Sequence, residues 1–142
     1  MNIDPTKPRQ LAEHKHDAPL LCCAFDPLGR FVLAGGRDRH LACLDVATGA
    51  KTNLEGHESW VGNAVRAGAE LVLTADFAGA AIAWDCTGDS PKQRWKLSAH
   101  ASSIYALAAS QDGKLVATGD REGVIRLWQT GDNGQLHQFK VD

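Results

Sequence analysis

Residues 115–128 read LVATGDREGVIRLW, and this stretch decides the fold. Two short apolar runs, 115–118 and 124–128, lie on either side of a polar segment that contains two glycines. Short runs rich in Val, Ile and Leu that are separated by a glycine-containing turn are typical of antiparallel strands. No window of the chain keeps a helical period over three turns. The stretch therefore predicts a β-hairpin in an all-β protein.

The same pattern occurs earlier in the chain. Residues 16–49 align without a gap on residues 100–133, at a constant offset of 84. A third copy lies between them: it starts at His57 and reaches Trp84, where the last copy reaches Trp128. The offset of 84 is twice 42, so the chain contains three units with a period near 42, each with room for four short strands. The alternative is an ordinary β-sandwich with accidental similarity, which a long gapless match disfavours.

The units resemble the WD40 repeat of β-propellers. The likeness rests on an opening His and a closing Trp-Asp, which here are Gly56-His57 with Trp84-Asp85, His100 with Trp128-Gln129, and His16 with Leu44-Asp45. It covers nearly the whole chain, from about residue 8 to the end. The resemblance implies an all-β fold of three four-stranded antiparallel sheets, the blades, arranged as an open arc or as part of a larger ring.

The resemblance also gives boundaries within a single WD40-type domain, 1–142. Residues 8–19 would form an orphan outer strand with its loop, the strand itself being Arg9–Glu13. The three blades would then occupy residues 20–54, 55–97 and 98–142. Their fourth strands are expected at Lys51–Leu54, Lys92–Leu97 and Gln135–Val141.

Well-formed blades of this family carry a hydrogen-bonded chain of a turn carboxylate, the His, a Ser or Thr, and the Trp. Because a buried polar group without a partner costs about 1–3 kcal/mol, the completeness of this chain should rank the blades. We expect the third blade to be the best ordered, and His100→Ala to destabilise more than His16→Ala. Matching by position gives Glu122, His100, Thr118 and Trp128 in the third blade; His57, Thr74 and Trp84 in the second, where Ala78 replaces the carboxylate; and His16 and Asp38 in the first, where Ala34 and Leu44 replace the hydroxyl and the indole.

Three blades are too few to close a ring, because propellers have about 4–8. An open arc exposes the apolar flanks of its terminal repeats and leaves strand edges that can pair with another chain. We therefore expect self-association or additional blades to close the ring; two copies would give six blades.

The resemblance further implies a binding face, where the turn between the second and third strands (the b–c turn) and the start of the first strand emerge. Three of the nine positions carried over are aromatic, although aromatic residues make up only 6% of the chain. Trp, Tyr and Arg are the residues that dominate interface hot spots. The alternatives are core packing of Trp60 and Phe77 between blades and solvated turns at Arg37 and Arg121. The nine positions are Pro19, Leu21, Arg37, Trp60, Gly62, Phe77, Ser103, Tyr105 and Arg121.

Composition excludes several classes of protein. The formal charge of −2 lacks the basic excess of a protein bound mainly to nucleic acid. The longest apolar-rich stretch, 71–86, contains two Asp residues and is shorter than the ~20 residues of a membrane span. The N-terminus has no apolar core of a signal peptide, which indicates the cytoplasm. The four cysteines form no C-x-x-C pair and are expected to be buried, reduced thiols, without a metal or cofactor.

The sequence contains no catalytic or phosphate-binding motif of the G-x-S-x-G, Walker or G-x-G-x-x-G type. The resemblance to the WD40 family implies a non-catalytic scaffold that binds a protein or peptide through the face with the b–c turns, and the absence of these motifs agrees with that expectation. The alternative is an oligomeric ring that binds a small molecule in its central channel or between blades. An enzyme subunit is a third hypothesis, with no residues to support it.

Overall fold

The computed structural model describes residues 4–130 and the backbone of one further strand, 137–140. Every regular element in this part of the chain is a β-strand, as the short apolar runs predict. The strands are β1 (Leu20–Phe25), β2 (Phe31–Gly36), β3 (Leu41–Asp45), β4 (Lys51–Leu54), β5 (Val61–Ala67), β6 (Leu71–Asp76), β7 (Ala80–Asp85), β8 (Lys92–Ser98), β9 (Ile104–Ala109), β10 (Leu115–Asp120), β11 (Val124–Gln129) and β12 (His137–Lys140).

The strands form three antiparallel sheets of four, each made from consecutive strands: β1–β4, β5–β8 and β9–β12. The first strands of the sheets are neighbours, with β1 beside β5 and β5 beside β9. This is the order of consecutive propeller blades, and we call the sheets blade 1, blade 2 and blade 3. The described residues form an arc and not a closed ring, in agreement with the fold class expected from the sequence.

One expected element is absent from the described residues. The segment Arg9–Glu13 forms no strand, and the first strand begins at Leu20. A strand needs a neighbour for its backbone N–H and C=O groups, and each described sheet already contains its four strands. The fourth strand of blade 3 falls within the expected 135–141, whose flanking residues lie outside the described part of the chain.

The first of two apolar cores lies between blades 1 and 2. It combines Leu33 and Leu41 of blade 1 with Val72, Ile82 and Trp84 of blade 2, all nearly inaccessible to solvent. These residues alternate along their strands with residues that point the opposite way, because successive side chains of a strand lie on opposite faces.

The second core lies between blades 2 and 3. On the opposite face of blade 2, Leu73 and Ala81 pack in one cluster with Ile104, Val116 and Trp128 of blade 3. Blade 2 is therefore buried on both faces, which explains why its β6 and β7 are apolar almost throughout instead of alternating with polar residues.

Glycines let neighbouring blades approach each other closely. A Cβ atom at Gly35 in blade 1 would lie 2.5 Å from Cγ1 of Val61 in blade 2. Gly79, in the b–c turn of blade 2, has a φ of 90°, and its carbonyl accepts the N–H of His100 in blade 3 at 3.0 Å. A Cβ at Gly79 would collide with the carbonyl oxygen of His100. Only glycine combines this backbone angle with this contact.

The cysteines are free thiols in different surroundings. Cys43 and Cys86 are buried in the first core, and burial raises the pKa of Cys86 to about 11. Cys22 is half-buried, whereas Cys23 is exposed, so the expectation of four buried thiols is wrong for Cys23. Cys23 lies on the outer face of blade 1, where no further sheet packs against it within the described residues. In residues 4–130, no helix is long and apolar enough to cross a membrane.

Candidate partner-binding surface

Each blade presents the same backbone frame where the b–c turn meets the first strand. In each blade, one residue immediately precedes the first strand and another immediately follows the second strand. The backbone carbonyl of the former accepts a hydrogen bond from the backbone N–H of the latter. Six of the residues expected at the binding face are held two by two in this frame: Pro19 with Arg37 at 3.1 Å, Trp60 with Phe77 at 3.0 Å, and Ser103 with Arg121 at 2.9 Å.

A β-bulge follows in the first strand of each blade. The pairing with the second strand skips one residue: Leu21 in β1, Gly62 in β5 and Tyr105 in β9. A bulged residue lies outside the ladder, and its side chain is re-aimed. Leu21 and Tyr105 are exposed. At Gly62 the missing side chain leaves space for the ring of Phe77, whose nearest atom would lie 2.6 Å from a Cβ there.

Four of the expected side chains form one continuous row across the three blades. The guanidinium carbon of Arg37 lies 4.7 Å from the centre of the Trp60 ring. The rings of Trp60 and Phe77 are 6.1 Å apart between centroids and tilted by 45°, and those of Phe77 and Tyr105 are 5.3 Å apart in an edge-to-face pair at 88°. These are favourable cation–π and aromatic geometries. We call Arg37, Trp60, Phe77 and Tyr105 the aromatic row.

The aromatic row is open to solvent. Trp60 exposes 41% of its surface and Tyr105 exposes 56%, while Phe77 is half-buried between them. Core packing between blades therefore does not describe Trp60 and describes Phe77 only in part. The hydroxyl of Ser103 donates to the carbonyl of Phe77 at 2.8 Å, which ties the b–c turn of blade 2 to blade 3.

The remaining expected residues lie on the same edge without belonging to the row. Pro19, Leu21 and Arg121 are exposed at positions equivalent to those of the row residues. Their backbone is fixed by the frame and the bulge, so they extend the surface on both sides of the aromatic row.

A hydrogen-bonded chain behind this surface fixes the b–c turn of blade 2. The indole N–H of Trp84 donates to Oγ1 of Thr74 at 2.8 Å, and this oxygen lies 2.6 Å from Nε2 of His57. Nδ1 of His57 lies 2.7 Å from Oδ2 of Asp76. A neutral His57 that carries its proton on Nδ1 satisfies every group, because the Thr hydroxyl then donates to Nε2. The chain is complete, so the expectation that Ala78 deprives blade 2 of a carboxylate is wrong.

Blade 3 contains the same chain with a different carboxylate from the one expected. Trp128 donates to Oγ1 of Thr118 at 2.8 Å, Oγ1 lies 2.6 Å from Nε2 of His100, and Nδ1 of His100 lies 2.9 Å from Oδ2 of Asp120. Glu122 is exposed and contributes only its backbone N–H, which donates to Oδ1 of Asp120 at 2.9 Å. The assignment of Glu122 to the chain is therefore a mistake, and Asp120 takes its place.

The position of the aspartate explains this choice. Asp76 and Asp120 are the last residues of their second strands, and in each the Oδ1 atom accepts backbone N–H groups from two and four residues further on. A short side chain at this point holds the turn with one oxygen and reaches the His with the other. The spacing Thr-x-Asp at 74–76 and 118–120 is a signal by which the sequence could have identified both.

Blade 1 has only part of the chain. Nε2 of His16 lies 2.6 Å from Oδ2 of Asp38, which lies in the turn and not at the end of a strand. Ala34 and Leu44 occupy the positions of the hydroxyl and the indole, as the sequence shows. They line a groove of about 250 Å³ on the outer face of blade 1, whose edge carries Lys51.

The electrostatics of the chain in blade 3 favour a neutral His100, and the aspartates of both complete chains are held ionised. Burial alone would raise the pKa of Asp76, but hydrogen bonds from His57 and from the turn amides outweigh it and lower that pKa. The pKa of Asp120 is also lowered, because the N–H of Val124 and the imidazole of His100 outweigh the effect of burial. Burial lowers the pKa of His100, and the nearby Asp120 does not fully offset this effect. Among residues 4–130 no group of three or more His, Cys, Asp and Glu could hold a metal ion.

The similarities to known proteins agree with this geometry. Residues 7–45 and 91–129 match the family model described as "WD domain, G-beta repeat". The chain is 25% identical over 118 residues to "Telomerase protein component 1" of Rattus norvegicus, which covers 80% of this chain and 4% of that protein. It is 30% identical over 119 residues to "WD repeat-containing protein AAC3" of Dictyostelium discoideum, covering 76% of this chain and 24% of that protein.

The fold also occurs in a solved structure, "Crystal Structure of Mitotic Checkpoint Complex", with a TM-score of 0.75 at 22% identity. The match covers 92% of this chain and 40% of that one. The chain therefore spans less than half the length of each of these proteins. WD40 repeat proteins are generally protein-interaction scaffolds without enzymatic activity. Since the two segments that match the family model make up more than half of its residues, the chain belongs to the WD40 repeat family.

Proposed function

We propose that this chain is a non-catalytic scaffold that binds a protein or peptide through the edge that carries the aromatic row. One observation supports the proposal most directly: side chains from three different blades contact one another in sequence and remain open to solvent. Trp, Tyr and Arg side chains of this kind supply most of the binding energy in protein interfaces. The proposed function uses no cofactor, nucleic acid or membrane, and we place it in the cytoplasm.

Rigidity of the surface supports the same function. The backbone frame fixes each turn, and complete His-centred chains lie behind the turns of blades 2 and 3. A surface that is already ordered loses little conformational entropy when a partner binds. The aromatic row therefore has the properties of a preformed docking site.

A selection from a phage-displayed peptide library on the immobilised chain tests this function. We expect selected peptides to lose affinity by about tenfold or more with Trp60→Ala and with Tyr105→Ala, because each change removes an exposed aromatic contact. Phe25→Ala is the matched control, since Phe25 is an aromatic side chain with 59% exposure at the opposite end of β1. Far-UV circular dichroism verifies that each variant is folded. The proposal fails if no peptide is selected, or if the selected peptides bind all variants equally.

A second observation supports closure of the arc by further blades or by a second copy. The outer face of blade 3 exposes Leu115 at 47% and Ile125 at 36%, and the outer face of blade 1 has the apolar groove lined by Ala34 and Leu44. In each of the two cores, the face of one blade that corresponds to the outer face of blade 3 packs against the face of the next blade that corresponds to the outer face of blade 1. The groove therefore favours packing against another blade over the small-molecule alternative.

Sedimentation velocity on the purified chain tests closure by a second copy. We expect a dimer, because two identical end-to-end interfaces would complete a six-bladed ring. Leu115→Lys should shift the chain to a monomer, whereas Leu28→Lys should not, since Leu28 is an exposed residue in the turn after β1. A folded wild-type monomer at all concentrations would contradict self-closure.

A further inference from the structure

We propose that the partner of the aromatic row is an acidic peptide, in which an Asp or Glu carboxylate binds Arg37 and a neighbouring bulky apolar residue lies on Trp60 and Tyr105. This inference rests on the proposed function of the same surface. It adds the chemistry of the partner, which the contacts of the row indicate.

The first step of the argument is the state of the Arg37 side chain. Its guanidinium lies over the ring of Trp60, and in the described part of the chain this is the contact that its charged group makes. Two other arginines already have a carboxylate: Arg30 has Asp26 at 3.7 Å, and Arg94 has Glu70 at 3.4 Å. A stacked guanidinium keeps its N–H edges free for a bidentate carboxylate, and stacking restricts it before the ligand arrives.

The second step is the distribution of charge along the edge. The carboxylates of the b–c turns are largely engaged internally: Asp38 with His16, Asp76 with His57 and Asp120 with His100. Glu122 is the exposed carboxylate of the third turn. The cationic side chains of these turns are open to solvent instead: Arg37, Arg39 and Arg121 are all exposed. The b–c turns therefore offer positive charge to solvent, while their aspartates are used to build the turns.

The third step is the apolar surface beside the cation. Trp60 and Tyr105 lie on either side of the half-buried Phe77, and the ring of Phe77 contacts both of them. A ligand whose carboxylate binds Arg37 places its adjacent residue at this aromatic surface, because consecutive residues of an extended chain are only about 3.3–3.6 Å apart along it. Aromatic or long aliphatic side chains fit that position best.

Fluorescence anisotropy with three labelled synthetic peptides tests the inference. The peptides have equal length and a central Leu-Phe, flanked on both sides by Asp, by Asn or by Lys. We expect the Asp peptide to bind about tenfold or more tightly than the other two, and Arg37→Gln to remove most of that difference. Arg66→Gln is the matched control, because Arg66 is an exposed arginine near the far end of β5. It should leave all three affinities unchanged.

Each contrary outcome has a distinct meaning. Equal affinity for the three peptides, lost with Tyr105→Ala, would overturn the acidic preference and leave the scaffold proposal standing. Binding of none of the three would overturn the inference, while the library selection decides the scaffold function separately. A fourth peptide with Asn flanks and one phosphoserine beside Leu-Phe distinguishes the two anions. Tighter binding of this peptide than of the Asp peptide would overturn the assignment to a carboxylate.

Discussion

Asp76 and Asp120 each perform two tasks with one side chain. One carboxylate oxygen lies against the imidazole of the blade, and the other accepts two N–H groups of the b–c turn. The turn at the proposed binding surface and the buried His-Thr-Trp chain are thereby joined through a single residue. A change at this residue should affect both the stability of the blade and the geometry of the surface.

The first prediction concerns the identity of the carboxylate in blade 3. Asp120→Ala should lower the free energy of unfolding by about 2–3 kcal/mol, because several hydrogen bonds to a charged acceptor are lost and two of their donors, the imidazole of His100 and the N–H of Val124, stay buried or half-buried. Glu122→Ala should change it by less than about 0.5 kcal/mol, since the side chain is exposed. Urea unfolding of both variants measures the difference. Equal losses would restore Glu122 to the chain.

The second prediction is a loss of stability in acid. The pKa of His100 in the folded state is below its ordinary value of 6.5, so the unfolded chain binds a proton that the folded chain resists. Stability from this group is complete above about pH 6.5 and falls as the pH drops below that value. The lowered pKa values of Asp76 and Asp120 add a second loss below about pH 4, as these carboxylates are protonated.

Urea midpoints between pH 8 and pH 5 measure the effect of His100. His100→Gln should be less stable at pH 8 but show a flatter profile over this range, because the titrating group is absent. A profile with the same slope in wild type and variant would contradict the assignment of a neutral His100.

The sequence predicted the His, Thr and Trp of each complete chain because their spacing is regular between units. It did not predict the aspartates, because aligning the units by position pairs Asp38 with Glu122, which lies two residues after Asp120. Both positions are close enough to the His. The choice depends on turn geometry, for which the Thr-x-Asp spacing of blades 2 and 3 is the signal in the sequence.

At the scale of elements, the b–c turns and the bulges determine where the proposed binding surface lies. The turns of blades 2 and 3 have Gly79 and Gly123 at positive φ, and blade 1 has Arg39 with a φ of 67° at the equivalent place. The two glycines differ in their surroundings. Gly79 contacts blade 3, whereas nothing lies within 4 Å of a Cβ at Gly123.

The third prediction compares these two glycines. Gly123→Ala should cost about 1 kcal/mol, which is the cost of a side chain at positive φ. Gly79→Ala has the same backbone strain and also collides with the His100 carbonyl, so it should cost at least about 1–3 kcal/mol more. Thermal unfolding of the two variants gives the comparison. Similar melting temperatures would show that blades 2 and 3 are not in contact at this turn.

The strands were predictable because short apolar runs and glycine turns alternate along the chain. The bulges at Leu21, Gly62 and Tyr105 were not, because nothing in a strand's own residues shows where its pairing skips. The strand expected at Arg9–Glu13 does not form, and each described sheet is already made of four consecutive strands without it.

At the scale of the whole molecule, the middle blade is the structural centre. One face of this blade belongs to each core, and the two central strands of its sheet, β6 and β7, are buried along almost their full length. The family model leaves residues 46–90 unmatched, although they contain most of this blade. Strands that are apolar on both faces lose the alternation of polar and apolar residues, which weakens their likeness to other repeats.

The fourth prediction follows from this arrangement. The slowest amide hydrogen exchange should occur in β6 and β7, because opening them requires the loss of both cores. The sequence favoured blade 3 as the best-ordered unit on the basis of its hydrogen-bonded chain alone. Slower exchange in β10 and β11 than in β6 and β7 would show that blade 3, and not the doubly buried blade 2, is the best-ordered unit.

The bulged residues have a consequence for how such a surface acquires new partners. Leu21 and Tyr105 lie outside the ladder, so exchanging either side chain leaves the strand pairing and both cores untouched. Gly62 is the exception, because the Phe77 ring fills the space beside it. At these two positions, the residues of the proposed binding surface are therefore distinct from the residues that determine the fold. Substitutions there can change which ligand binds without a change in the architecture of the blades.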